Sequence, residues 1–161
     1  MTTLADRIEQ QRRGRTLAVV GVGHPLRGDD AAGVRVIERL QSARDPRVLE
    51  AEVLPENCIG ELIERSPGVV LFVDAADMGD PPGTCRLESV ASLAPRAEST
   101  HAPSLRLTAE LLAAHGIDTL LLGIQPLGTR PGQPLSPVVA AAVDEAAEAI
   151  ACVLGREACH G

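Results

Sequence analysis

The chain has 161 residues, 45% of them apolar but only 1% aromatic, and its 15 basic and 22 acidic side chains leave a net charge of −7. That length buries a substantial core, which must be built from Val, Leu, Ile and Ala around the lone aromatic, Phe72. An acidic chain without aromatic platforms suits neither a phosphate backbone nor stacked bases, so nucleic acid is not an expected partner.

Residues 1–14 are polar and read as a lead-in or a short helix, with Arg12-Arg13-Gly14-Arg15 as a solvated face. Asp6, Arg7 and Glu9 stand where a signal peptide needs an apolar stretch, and no uncharged run is long enough for a bilayer. A cytoplasmic location is therefore expected, and no membrane partner. Cys58, Cys85, Cys152 and Cys159 lack the C-x-x-C spacing of a structural zinc site; buried free thiols are the expectation.

Thr16 to Val22 is an apolar run and predicts the first strand. A Gly-rich turn follows, Gly21-Val22-Gly23-His24-Pro25-Leu26-Arg27-Gly28-Asp29-Asp30. The spacing of Gly33, Val36, Ile37 and Leu40 then predicts one buried face of a helix over about 30–42, with Arg35, Glu38 and Arg39 opposite. Asp29 or Asp30 supplies the N-cap signal. Residues 48–54 alternate as a second strand, and Pro55 opens a short helix whose Ile59, Leu62 and Ile63 share a face. Val69 to Val73 is continuously apolar, as in a central parallel strand covered on both sides, and ends at Asp74. After the Asp80–Gly83 turn, residues 84–90 predict an extra edge strand, and 91–103 read as loop. A helix over about 104–115 buries Leu105, Thr108, Ala109 and Leu112, with Leu111 beside them. Residues 119–124 form another buried strand, 126–134 a Gly/Pro-rich loop. Ser136-Pro137 opens a last helix with Val139, Ala142, Val143, Ala146 and Ile150 as its apolar stripe.

Alternation of strands and helices predicts a three-layer α/β/α architecture: a twisted, mostly parallel sheet of about five strands with helices on both faces. The chain reads as one domain, with a core over 15–155 and a C-terminal tail over 156–161. Ligands of such sheets bind beyond the carboxyl ends of the strands. That edge should carry the turn ending in Asp30, Asp74, and the loop after Ile124.

Gly21-x-Gly23 lacks the third glycine of a dinucleotide fingerprint, Leu26 standing in its place, so a nucleotide is not expected. There is no G-x-S-x-G elbow, H-E-x-x-H helix or P-loop. Asp29-Asp30 reads either as a cap with a dipole-favoured charge or as functional acid. Asp74, directly after five apolar residues at the ligand-binding edge, favours function. His101, in the loop before a helix, adds an imidazole. Two carboxylates and one imidazole on separate loops suit a borderline divalent metal such as nickel or zinc. His24 reads equally well as a turn residue, and His115 and His160 as structural or exposed.

The block Gly21–Asp30 with Gly33-Val34 resembles the opening of the [NiFe]-hydrogenase maturation endopeptidases. The resemblance continues through Phe72-Val73-Asp74-Ala75, Thr100-His101 and Leu122-Gly123-Ile124-Gln125-Pro126, over about residues 16–154. The last two blocks favour the branch that processes hydrogenases of the formate hydrogenlyase type. It implies a nickel-dependent endopeptidase that cuts a C-terminal extension from the precursor of a hydrogenase large subunit after nickel insertion. It also implies nickel recognition by Asp30, Asp74 and His101, the metal being carried by the substrate rather than held permanently. Relatives often have Glu where Asp30 stands, and Asn where His24 stands. A metal polarises a carbonyl and activates water, and a carboxylate, Asp30 or Asp74, is a candidate general base. Two other readings stay open: a metallohydrolase holding its own divalent ion through the same residues, and a non-catalytic nickel chaperone.

Overall fold

The computed structural model of the chain describes residues 1–41, 44–92 and 102–160. Five strands form one sheet: β1 (Leu17–Val22), β2 (Val48–Glu52), β3 (Val69–Ala75), β4 (Cys85–Ser89) and β5 (Asp118–Ile124), in the spatial order β2-β1-β3-β5-β4. All neighbours are parallel except β4, which runs antiparallel to β5 at the edge. The helices are α1 (Leu4–Arg12), α2 (Ala32–Gln41), α3 (Ile59–Arg65), α4 (Ala102–Ala113) and α5 (Pro137–His160). This is the α/β/α arrangement expected from the alternation of elements.

Side chains of a strand alternate between faces, and the two cores follow that alternation. Leu17 and Val19 of β1 and Val69, Leu71 and Val73 of β3 pack with Ile8 of α1, Val36, Ile37 and Leu40 of α2, and the Val139–Ile150 stripe of α5. Ala18, Val20, Val22, Val70 and Phe72 pack instead with Leu62 of α3 and with Leu105 and Leu112 of α4. Helices α1, α2 and α5 therefore cover one face, α3 and α4 the other. The strands β1 and β3 are buried along their whole length, which is why their sequences are continuous apolar runs rather than alternating ones.

Several boundaries differ from expectation. Of the two readings of residues 1–14 the short helix holds, over Leu4–Arg12; it is capped by a reciprocal Thr3–Asp6 capping box and inserts Leu4, Ala5 and Ile8 into the core. Arg12 is not solvated: it is 6% exposed, pairs with Glu9 and Glu157, and donates to the Arg15 carbonyl. Arg15 pairs with Asp118. The final helix continues through residue 160 where a tail was expected. Helix α2 starts at Ala32 after a 3-10 turn over Gly28–Ala31; the expected end at Ser42 lies outside the described residues. Of the thiols, Cys58 is buried and Cys85 half-buried, and burial raises both to about 11; Cys152 and Cys159 are exposed. Leu111 points outward, 46% exposed, although Leu105, Thr108 and Leu112 of the same helix are buried. No helix among the described residues is long and apolar enough to cross a membrane.

The topology fixes one special place. From β1 the chain passes through α2 to β2 on one side, then through α3 back across to β3 on the other. The strand order thus reverses between β1 and β3, and a crevice opens at the carboxyl ends of the two strands.

Candidate active site

Asp30 and Asp74 both lie at that crevice. Asp74 is the sixth residue of β3, fully buried, one position beyond the last β1–β3 pair, Gly21 with Val73. Its parity along the strand matches Val70 and Phe72, the face covered by α3 and α4. Asp30 sits in the 3-10 turn that leads from β1 into α2 and is 9% exposed. The turn is pressed onto the strand ends by the two glycines. A Cβ on Gly33 would lie 2.1 Å from the Val73 carbonyl oxygen and 2.3 Å from that of Val22. A Cβ on Gly23, whose φ of +151° already favours glycine, would lie 2.1 Å from the Asp30 carbonyl oxygen.

The adjacent acids of the turn have different partners. Asp29 is fully buried and reaches across to the loop after β5. Its Oδ1 accepts from the Ser136 N–H at 2.7 Å, and its Oδ2 from Leu127 N–H at 2.8 Å, Gly128 N–H at 3.1 Å and the Ser136 hydroxyl at 2.8 Å. Burial, the largest single influence, pushes the Asp29 carboxyl up, but the bonds from Ser136, Leu127 and Gly128 together outweigh it and hold it below the usual range. Backbone bonds complete the clamp: Asp29 N–H to the Gly128 carbonyl, Gly28 N–H to that of Gln133, and Gly132 N–H to that of Leu26. With both oxygens engaged, Asp29 is a structural clasp.

Asp30 is only half engaged. Its Oδ2 accepts from the His24 N–H at 3.1 Å, and among the described residues its Oδ1 accepts no hydrogen bond. Neither acid caps α2 with its side chain, contrary to the N-cap expectation: Asp29 reaches forward to 127–136 and Asp30 back to His24. His24 is a turn former, its Nδ1 accepting from Leu26 N–H at 3.2 Å. His115 is exposed, as anticipated.

Asp30 lines a cavity of about 250 Å³ together with Ala75, Asp77, Gln125 and the 126–129 loop. Ala75 follows Asp74 directly in β3, and the Asp74 side chain, on the opposite face of the strand, is not part of the lining. His101 lies outside the described residues. It immediately precedes α4, which packs on the face matching the parity of Asp74. Among the described residues no three His, Cys, Asp or Glu side chains gather closely enough to hold an ion; the expected set requires His101.

Two further residues line this cavity: Gln125, directly after Ile124 where a loop was expected at this edge but with no role assigned to its side chain, and Asp77, which sequence reasoning did not place at the site. Gln125, 7% exposed, follows β5 directly. Its Oε1 accepts from Met78 N–H at 2.7 Å and Asp80 N–H at 3.3 Å, while its Nε2 donates to Asp77 Oδ1 at 3.1 Å. Asp77 also accepts from Gly79 N–H at 3.2 Å, again through Oδ1. The bond from the Gln125 side chain, then that from Gly79, hold the Asp77 carboxyl below its usual range. A polar residue closing an apolar strand run was the available signal for Gln125. The Asp-x-Gly step of Asp77–Gly79 was the signal for a turn, but not for what the turn faces.

The arrangement offers partly engaged acids at a small polar cavity, which suits binding a cation or orienting a water. Comparison with known proteins agrees on one family. Residues 34–152 match the family model described as "Hydrogenase maturation protease". Hydrogenase 3 maturation protease of Escherichia coli K12 is 33% identical over 108 residues, which span 65% of this chain and 69% of that protein. The crystal structure of a [NiFe] hydrogenase maturation protease, HycI, from Thermococcus kodakarensis superposes with a TM-score of 0.84 at 32% identity, covering 92% of this chain and 99% of that one. The solution structure of the endopeptidase HycI from Escherichia coli gives 0.74 at 30% identity, covering 83% and 87%.

Proposed function

The chain belongs to the hydrogenase maturation protease family, and from that premise we propose that it removes the C-terminal extension from the precursor of a [NiFe]-hydrogenase large subunit after nickel insertion. In this reading the nickel arrives with the precursor and is the feature recognised. Asp30, Asp74 and His101 complete its coordination and so bring the scissile peptide bond to the switch point. One carboxylate, Asp30 or Asp74, takes the proton of the attacking water, and the substrate's metal polarises the carbonyl. Neither nucleotide nor nucleic acid has a part in it. The four free cysteines suit a reducing compartment, and the cytoplasm is the location we propose.

The observation that carries this reading is the division between Asp29 and Asp30. The fold saturates one acid with four hydrogen bonds and leaves its neighbour half engaged at the cavity wall. A purely capping pair has no reason to differ so sharply. Carboxylate and imidazole donors also suit a borderline divalent ion.

The test is mass spectrometry of a nickel-loaded and a nickel-free precursor after incubation with the protein. The expected result is loss of the extension from the loaded form only, abolished in Asp74→Ala and His101→Ala. Wild-type-like processing by both variants ends the assignment of the site. Binding of the precursor without any change in its mass turns the reading to a chaperone. A stoichiometric metal in the purified protein without substrate turns it to a metallohydrolase with a resident ion.

A further inference from the structure

We propose that Asp77 is a substrate-binding residue of this site and that Gln125 is the residue that positions it. The inference rests on the processing reaction proposed above and adds a contact to it. Asp77 stands on the short turn between β3 and β4, three residues beyond Asp74, and shares the wall of the 250 Å³ cavity with Asp30. Its Oδ1 is committed to Gln125 Nε2 and Gly79 N–H. Its Oδ2 accepts no hydrogen bond among the described residues, and the residue is exposed. One oxygen is therefore anchored, and the other is an ionised acceptor on the wall of the crevice.

Gln125 is built for that task and for little else. It is nearly inaccessible, and its carboxamide grips three successive features of the turn: Met78 N–H, Asp80 N–H and the Asp77 carboxylate. Because β5 is paired along its length with β3, the end of β5 is a rigid mount. A buried amide with both ends used fixes a loop in one geometry, and here the geometry it fixes presents Asp77 to the cavity. The ligand chemistry is an N–H donor of the precursor's cleavage segment, either a backbone amide or a cationic side chain.

The test is steady-state cleavage of the nickel-loaded precursor by three variants. Asp77→Asn keeps an oxygen for Gln125 and Gly79 but replaces the free acceptor with a donor. Losing a hydrogen bond to a charged group predicts a rise in KM of about tenfold or more, with kcat changed by less than about twofold. Gln125→Glu retains the acceptor for Met78 and Asp80 but sets a carboxylate against Asp77; KM rises at least as much, and thermal stability falls. The third variant combines the two substitutions. The amide introduced at position 77 then donates to the carboxylate introduced at position 125. This turns the carboxamide oxygen at position 77 to the outward position as a neutral acceptor, while Gly79 N–H loses its partner. Stability recovers in part, and KM falls below that of Asp77→Asn because an acceptor again faces the cavity. A KM in the double variant no lower than in Asp77→Asn, although stability has recovered, overturns the proposal. It is equally overturned if Asp77→Asn cleaves with wild-type KM. Salt separates the two donors, since the wild-type advantage over Asp77→Asn shrinks with ionic strength for a cation and holds for a backbone amide. Failure of the wild-type protein to cleave at all would instead strike the processing reaction itself.

Discussion

At Asp29 three backbone N–H groups and a hydroxyl, all from residues 127–136, converge on one buried carboxylate. Removing it strands those donors, and each buried donor without a partner costs about 1–3 kcal/mol. Asp29→Ala is therefore expected to lose at least about 3 kcal/mol in denaturant unfolding. The pH dependence has a definite sign. The folded-state pKa of Asp29 lies below its ordinary value, so its contribution is complete above the unfolded value of about 3.9 and is lost as pH falls through the lower folded value. Acid titration of stability should show this loss in the wild type. The same portion of the slope should be missing in Asp29→Asn, which is less stable at neutral pH but does not titrate. Asp30, one position along, has a single side-chain hydrogen bond among the described residues; Asp30→Asn should change unfolding far less than Asp29→Asn while impairing precursor cleavage.

At the scale of elements, the site depends on how closely α2 approaches the strands. Helix α2 begins against the carbonyl oxygens of Val22 and Val73, with no space for a side chain at Gly33. Both obstructing atoms are backbone at the ends of buried strands, so neither yields by a rotamer change. Gly33→Ala must lift the helix start and with it the 3-10 turn bearing Asp30. An overpacked core position costs about 1–3 kcal/mol and occasionally more. The upper end is expected here in denaturant unfolding, together with reduced cleavage of the precursor even where the variant is fully folded. The partner element is the 126–136 loop, held to the turn by Asp29 and by backbone bonds from Gly28, Asp29 and Gly132. A turn after β1 and a loop after β5 thereby form the two lips of one cavity.

Across the whole molecule, the site and the stabilising contacts of the chain ends lie at different places. Helix α1 packs its Leu4, Ala5 and Ile8 into the core that α5 covers. Arg12 and Arg47 both reach Glu157 on that last helix, and the Glu157 carboxylate also accepts from Leu17 N–H at the start of β1. These ties gather at the amino ends of the strands, whereas Asp30, Asp74 and Gln125 lie at the carboxyl ends. Ile8→Ala, at a fully buried position, should cost about 2–5 kcal/mol in unfolding. Its kcat for the precursor should match wild type at temperatures where it remains folded. A fall in kcat there would mean that the α1–α5 layer communicates with the switch point.

The sequence by itself determined the order and type of the elements, the central position of β3, the buried faces of α2, α4 and α5, and the family. Each of those rests on local information: the period of apolar residues, an uninterrupted run such as Val69–Val73, or a motif such as Gly21–Asp30. It also marked Asp30 and Asp74 for the carboxyl edge of the sheet, because a strand end can be read from where hydrophobicity stops. Only the tertiary structure decided which acid of the pair is a clasp, since the donors that saturate Asp29 lie about a hundred residues away and leave no periodic trace. The same holds for Arg12, buried through a partner on α5, and for Gln125, whose hold on Asp77 joins two strand ends distant along the chain. Hydrophobic burial is written in a residue's own identity and spacing. A buried polar group takes its meaning from its partner, and the fold alone brings that partner to it.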